Sequence, residues 1–240
     1  MDYKLGREKY TYPCVGLAID AGVRNPIRFS TTLKLDEYHR KLLRSEADNA
    51  LLLGFLSVLY WGHYSGAAGI VKSNRAMSKT TLALNGKGYL RKGRPQRIRG
   101  LIDFKPGGAV AVLRQAASEI EKGNFGDAIK TLCALPQIQF AFASKLAAFM
   151  APEKCGVIDS VIVKNNPDLG FYLRGGYISN VKGNFPLYQH YCERLQSIAE
   201  SLNAQGDAER WLDLDGTSNA WRAIDVERAM YSQKAVNAAL

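Results

Sequence analysis

The stretch 140–150, FAFASKLAAFM, constrains this chain more than any other. It buries Phe142, Leu146 and Phe149 at helical spacing and places one cation, Lys145, on an otherwise small and apolar surface. Such a helix belongs inside a fold, with other helices packed round it. It opens after Leu135-Pro136 and closes at Ala151-Pro152. Proline lacks an amide and disfavours helix in the residue before it, so both ends are sharp. Residues 132–161 therefore read as a helix end, a tight turn, a helix Phe140–Met150, an interrupted connection, and an isolated acid, Asp159, opening the next element.

The rest of the chain supports a mainly α architecture with a small irregular or β N-terminal part. Residues 51–61 are apolar nearly all round and predict a second buried helix, ended by Gly62, Gly66 and Gly69. Leu35, Tyr38, Leu42 and Leu43 form one helical stripe near the start of the helical body. Further helices are expected over 76–84, 107–122, 125–134, 187–202 and 221–231. Residues 1–32 alternate aromatic and polar residues between Pro13, Gly16, Gly22 and Pro26, and predict short strands or irregular structure. Residues 86–100, GKGYLRKGRPQRIRG, read as a mobile loop, and 167–183 as a Gly-rich aromatic loop. One domain over 1–240 is expected, with room for two lobes around a cleft.

The charge balance points to an anionic partner. Thirty-two Lys and Arg face 22 Asp and Glu, a net charge of +10. Six of the cations, Lys87, Arg91, Lys92, Arg94, Arg97 and Arg99, crowd the 86–100 segment without one acid. Interleaved with glycine, they suit phosphate tracking. Cys14, Cys133, Cys155 and Cys192 form no CxxC pair, which excludes zinc and iron–sulfur spacing. No metal or cofactor is expected, and unpaired cysteines fit a reducing cytoplasm. Asp213, Asp215 and Glu227 show no metal-site pattern, and His39 and His190 carry no recognisable constellation. The longest apolar run, 50–61, is too short to span a bilayer, so no membrane role is expected.

Leu135-Pro136, the apolar turn residue Ile138, the pair Ser144-Lys145, the apolar helix and Ile158-Asp159 together resemble the helix-hairpin-helix DNA glycosylases. They resemble especially the branch with the 8-oxoguanine glycosylase fold. Residues 51–79 and 221–231 resemble other parts of that group more weakly. The resemblance implies a helix-hairpin-helix unit over about 125–150, a monomer acting on double-stranded DNA, and catalysis by Asp159. Gln137 and Gln139 stand where the family has glycines, and Ala141 stands where it has its lysine. Lys145 lies one helical turn further on the same face and is the candidate nucleophile. Gln137, Ile138 and Gln139 would hold a DNA phosphate through backbone amides. Lys87, Arg91, Lys92, Arg94 and Arg97 would contact the duplex. Trp61, His63, Tyr64, Phe140 and Phe142 are candidates for the pocket or wedge that an extruded base requires.

The same residues admit plainer roles. Asp159 can cap a helix. Lys145 can be a solvated or phosphate-binding lysine. The hairpin can be an ordinary turn, and the aromatics can be core. A non-catalytic duplex-binding module, an RNA-binding protein and an 8-oxoguanine glycosylase/lyase all remain open on the sequence. So does a defence enzyme that excises an enlarged, for example glucosylated, hydroxymethylcytosine from phage DNA.

Overall fold

Two helices that lack a polar face organise the molecule. In a computed structural model describing residues 1–20, 22–65 and 71–232, the chain opens with a short helix α1 (Tyr3–Glu8), capped where Asp2 accepts from the Leu5 amide at 2.9 Å. A hairpin of β1 (Val15–Asp20) and β2 (Val23–Arg28) follows, paired from Val15↔Arg28 to Asp20↔Val23. Then come α2 (Thr32–Leu43), α3 (Asp48–Tyr64) and α4 (Ser73–Asn85). A second hairpin, β3 (Lys87–Arg91) and β4 (Arg94–Ile98), leads to α5 (Gly108–Glu121), α6 (Phe125–Leu132) and α7 (Phe140–Met150). The remainder is α8 (Ser160–Asn165), the two-residue pair β5 (Leu173–Arg174) and β6 (Tyr177–Ile178), and the long α9 (Asn184–Ala204). The pair β7 (Trp211–Leu212) and β8 (Ser218–Asn219) then precedes α10 (Ala223–Ser232). The fold is mainly helical, with small antiparallel pairs at its edges. No described helix is long and apolar enough to cross a membrane.

α3 and α7 sit at the centre. Phe55, Val58 and Tyr60 of α3 and Phe140, Leu146 and Phe149 of α7 are fully buried. Full burial of each such side chain contributes roughly 1.5–3 kcal/mol. Ala143, Ala147 and Ala148 are buried too, and their small size lets α2, α3, α5 and α6 approach α7 closely.

Several boundaries differ from the sequence expectation. Residues 87–98 form an antiparallel ribbon, not a loop. Its turn is Lys92-Gly93, both at positive φ (51° and 74°), the conformation that the tight turns joining twisted strands require. Pro95, opposite Leu90, is tolerated because a two-stranded ribbon has an outer edge with no amide to satisfy. Gly62 does not end its helix, because α3 continues to Tyr64. Gly66 and Gly69 lie outside the described residues. The N-terminal part holds a helix as well as strands.

Several charged side chains are buried inside. Arg7 Nε meets Asp225 at 3.1 Å, and Arg228 and Arg222 each meet Asp36 at 2.6 Å. Arg222 Nε also meets Asp225 at 2.7 Å. The Arg7 guanidinium lies 3.6 Å over the Trp211 ring. This network ties α10 to α1 and α2 from behind.

Candidate active site

A clasp between α7 and the connection after it builds the site. Ser144 Oγ, fully buried, accepts from the Ile158 amide at 3.0 Å. Its hydroxyl proton has the carbonyls of Ala141 (3.0 Å) and Ile158 (3.2 Å) as acceptors. The next residue on each side of the clasp is Lys145 and Asp159. Both therefore reach one cavity of about 280 Å³. That volume is just below the range of ligand pockets, roughly 300–1,000 Å³.

Asp159 serves as the N-cap of α8. Its Oδ1 accepts from the amides of Val161 (2.8 Å) and Ile162 (3.1 Å). Among the described residues Oδ2 accepts no hydrogen bond, so that oxygen is available to the cavity. Cap and site are one residue.

Lys145 Nζ lies 3.4 Å from the Ala141 carbonyl and 5.2 Å over the Phe142 ring. Burial lowers its pKa, while Asp159 and Glu227 pull the other way. Burial moves the amine in the direction that nucleophilic attack requires. Gly62 makes room for this side chain. A Cβ at that position would stand 2.6 Å from the Phe142 ring and 3.0 Å from Lys145 Cδ.

A third ionisable group faces the same cavity. Glu227 of α10 is 4% exposed, and its carboxyl is pushed up to about 8. Burial is the largest cause; Arg228 opposes it, Asp159 adds to it, and Lys145 and the Val157 amide oppose it. The other buried acids are occupied: Asp36 and Asp225 by arginines, Asp213 by Thr32, Leu33 and Leu214. Glu227 makes no ion pair among the described residues. Gly156 lets it pass, since a Cβ there would lie 3.0 Å from Glu227 Cβ and 2.3 Å from Leu195 Cδ1. Sequence reasoning set Glu227 aside for want of a metal pattern. The signal was its place in the buried stripe of α10, three residues after Ile224 and four before Tyr231.

Of the aromatic residues expected at a pocket, Trp61 lines this cavity, with Nε1 donating to the Pro13 carbonyl at 3.1 Å. Tyr10, Tyr12, Tyr177 and Tyr231 complete the aromatic wall instead of the others. Tyr177 is 75% exposed, at the rim. The Tyr12 hydroxyl lies 3.2 Å from the Trp61 carbonyl and 3.4 Å from that of Gly62, its acceptors at the end of α3. Phe140 is a core residue, 5.6 Å from the Phe185 ring and edge-on to Tyr188. Tyr64 is buried and accepts from Arg28 at 3.0 Å. His63 stacks on Phe142 at 4.4 Å and does not line the cavity. Burial, aided by Lys79, Arg75 and Lys145, lowers its pKa to about 4, so the imidazole is neutral. Phe142 sits between His63 and Lys145, as support for the lysine stem.

The turn before α7 has the tightness of a hairpin even without glycine. Gln137 adopts φ +63°, a left-handed conformation costing an L-residue about 1–2 kcal/mol. Leu135 and Ile138 are buried, and the Ile138 amide donates to the Leu135 carbonyl at 3.3 Å. Ile138 is therefore an internal anchor of the turn, with its amide bonded inside it. The Gln137 and Gln139 amides donate to nothing among the described residues, and Gln139 is exposed. Asn180 Oδ1 takes the Phe140 amide at 2.8 Å.

On the ribbon, Lys87, Arg91, Lys92 and Arg94 are exposed. Arg97 is not free. It holds Asp103 at 2.7 Å and the Asn85 carbonyl at 2.9 Å, and so staples the ribbon to the end of α4. A wider groove of about 760 Å³ between α2 and α5 contains the surface pair Arg44–Glu121 and no comparable acid–base group. No protein-family model, curated protein or solved structure matches this chain.

Proposed function

We propose that this chain is a DNA glycosylase that extrudes a damaged or modified base and cleaves its N-glycosidic bond, leaving an abasic site. The observation that carries the reading is the Ser144–Ile158 clasp, which brings Lys145 and Asp159 to one aromatic-walled cavity. Cleavage of the bond develops positive charge on the sugar. Oδ2 of Asp159, which accepts no hydrogen bond among the described residues, is suited to stabilise that charge and to orient a water for attack at C1′. Lys145 stands one turn beyond the family's lysine position, so we assign water attack as the route and Lys145 as a group that steadies the extruded nucleotide. The open amides of Gln137 and Gln139 and the cations of the ribbon support binding to the phosphate backbone.

The test is incubation with duplexes carrying a panel of altered bases, followed by mass spectrometry for a released base. The panel includes 8-oxoguanine and a glucosylated hydroxymethylcytosine of the kind carried by some phage genomes. Release of the second assigns the enzyme to antiviral defence, and release of the first to repair. Borohydride trapping separates the routes. A covalent adduct lost in Lys145→Gln makes the lysine the nucleophile, and base release without an adduct supports attack by water.

The cap bonds of Asp159 favour one competing reading, a non-catalytic duplex-binding module in which this acid only holds α8. Asp159→Asn distinguishes the two. Loss of release with retained binding supports the enzyme, while the module has no release to lose.

A further inference from the structure

We infer that Glu227 is the proton donor to the departing base, the partner acid to Asp159 across the cavity. The inference rests on the glycosylase reading and adds a residue from a different element to it. Three geometric facts carry it. Glu227 lines the same cavity as Asp159 and Lys145, it is almost wholly buried, and it makes no ion pair among the described residues. The two acids have different surroundings. Asp159 accepts two amides at a helix N-terminus, while Glu227 accepts the Val157 amide alone and stands beside the Tyr10, Tyr191 and Tyr231 rings. Two neighbouring carboxyl groups set in unlike environments is the arrangement that separates an acid from a base. The upward push on Glu227 supports the acid role.

The C1′–N bond breaks and its electron pair goes to the base. The Glu227 carboxyl proton passes to that base, which leaves neutral. Water attacks C1′, and its proton passes to Asp159. The products are free base and an abasic sugar with a C1′ hydroxyl. Glu227 is left ionised and Asp159 protonated, and exchange with solvent restores both.

The charged and titratable groups that face Glu227 are Asp159 of α8, Lys145 of α7, Tyr191 of α9, Tyr10 before β1, and Arg228 and Tyr231 of α10 itself. Burial raises the three tyrosines, which removes them as donors near neutrality. Lys145 is the remaining competitor, so the experiment includes it.

The experiment measures single-turnover base release against pH for the wild type, Glu227→Gln, Glu227→Asp and Lys145→Gln, on whichever duplex the wild type acts. A difference infrared spectrum of wild type against Glu227→Gln is recorded alongside, to read the carboxylic acid band without any substrate. Expected are a protonated Glu227 at neutral pH and wild-type release that falls above about pH 8. Glu227→Gln is expected to lose about 100-fold or more in rate. It should also lose the alkaline limb, with duplex affinity unchanged. Glu227→Asp keeps part of the rate, and Lys145→Gln keeps the limb. An ionised Glu227 at neutral pH overturns the inference even if base release is robust. Retention of rate and limb by Glu227→Gln overturns it as well. A protonated Glu227 in a protein that releases no base from any duplex overturns the glycosylase reading itself, and the donor role falls with it.

Discussion

Replacing Glu227 with glutamine is expected to reshape the dependence of stability on pH. The carboxyl moves from 4.5 in the unfolded chain to about 8 in the folded one, chiefly through burial. Between these values the folded chain holds a proton that the unfolded chain has released. The folded state then binds more protons, so the free energy of unfolding falls as pH rises. The contribution of the protonated group is fully present below 4.5 and is lost by about 8. At about 1.4 kcal/mol per pH unit, the whole span is worth about 5 kcal/mol, and about 3 kcal/mol has gone by neutrality. Glutamine has no proton to release, and its amide oxygen can still accept from Val157. The variant should therefore gain on the wild type steadily as pH rises. Urea unfolding of both proteins at about pH 5, 7 and 9 measures this, read as midpoint and slope together. Other titrating groups cancel in the difference. His39, for example, is held neutral by burial at about 3 against 6.5 unfolded, and costs both proteins stability as pH falls through that window. A difference between variant and wild type that stays constant from about pH 5 to pH 9 refutes the reasoning, because it would mean that Glu227 is solvated or ion-paired.

Asp159→Asn should abolish base release and leave stability near wild type, since asparagine caps helices as well as aspartate. Asp159→Ala should in addition cost about 1 kcal/mol in urea unfolding, from the two lost amide bonds. Changing Arg91, Lys92 and Arg94 to glutamine should weaken binding to all duplexes alike and flatten the salt dependence by up to about 3 charges' worth, by fluorescence anisotropy across a salt series. Adding Arg97→Gln should cost stability through the lost staple to Asp103 more than it costs affinity. Ser144→Ala should cost about 1–3 kcal/mol, because the Ile158 amide is left buried without an acceptor. It should also lower base release while both site residues remain in place. Unchanged release in that variant would show that the clasp does not position the site.

The parts of the fold that could be read from the sequence are those whose burial is written in local pattern. α7 and α3 are apolar on nearly every side, so their central place follows from composition alone. Asp159 was visible because it follows an apolar pair and opens a new element, which suits a cap and a site equally. The ribbon was missed because four glycines and six cations hide a short alternation that only cross-strand pairing makes stable. Phe140, Tyr64 and Trp61 have similar sequence neighbourhoods. Which of them meets the cavity depends on how α3 and α7 cross, and that is a tertiary fact. Glu227 was missed for the same reason. A charged residue in an amphipathic helix reads as solvated until the neighbours that bury it are known.

The buried ion network and the cavity are best understood together. Asp225 and Arg228 lie three residues apart on one side of α10, paired with Arg7, Arg222 and Asp36. Glu227 points elsewhere, since successive helical residues are turned by about 100°. A buried network of this kind contributes little net stability, because desolvation offsets most of its Coulombic gain. Its effect lies in the alternatives it removes. To rotate or slide α10 would unpair a buried charge, at about 3–5 kcal/mol for each partner lost. The helix is thus held in one register, and that register is what keeps Glu227 buried at the cavity without an ion-pair partner among the described residues. Left free, α10 could relax by turning Glu227 toward water or toward Lys145. The arginines behind the helix and the acid in front of it are two sides of one constraint. Mutations in the network should therefore reach the cavity through the protonation of Glu227 before they reach it through loss of fold.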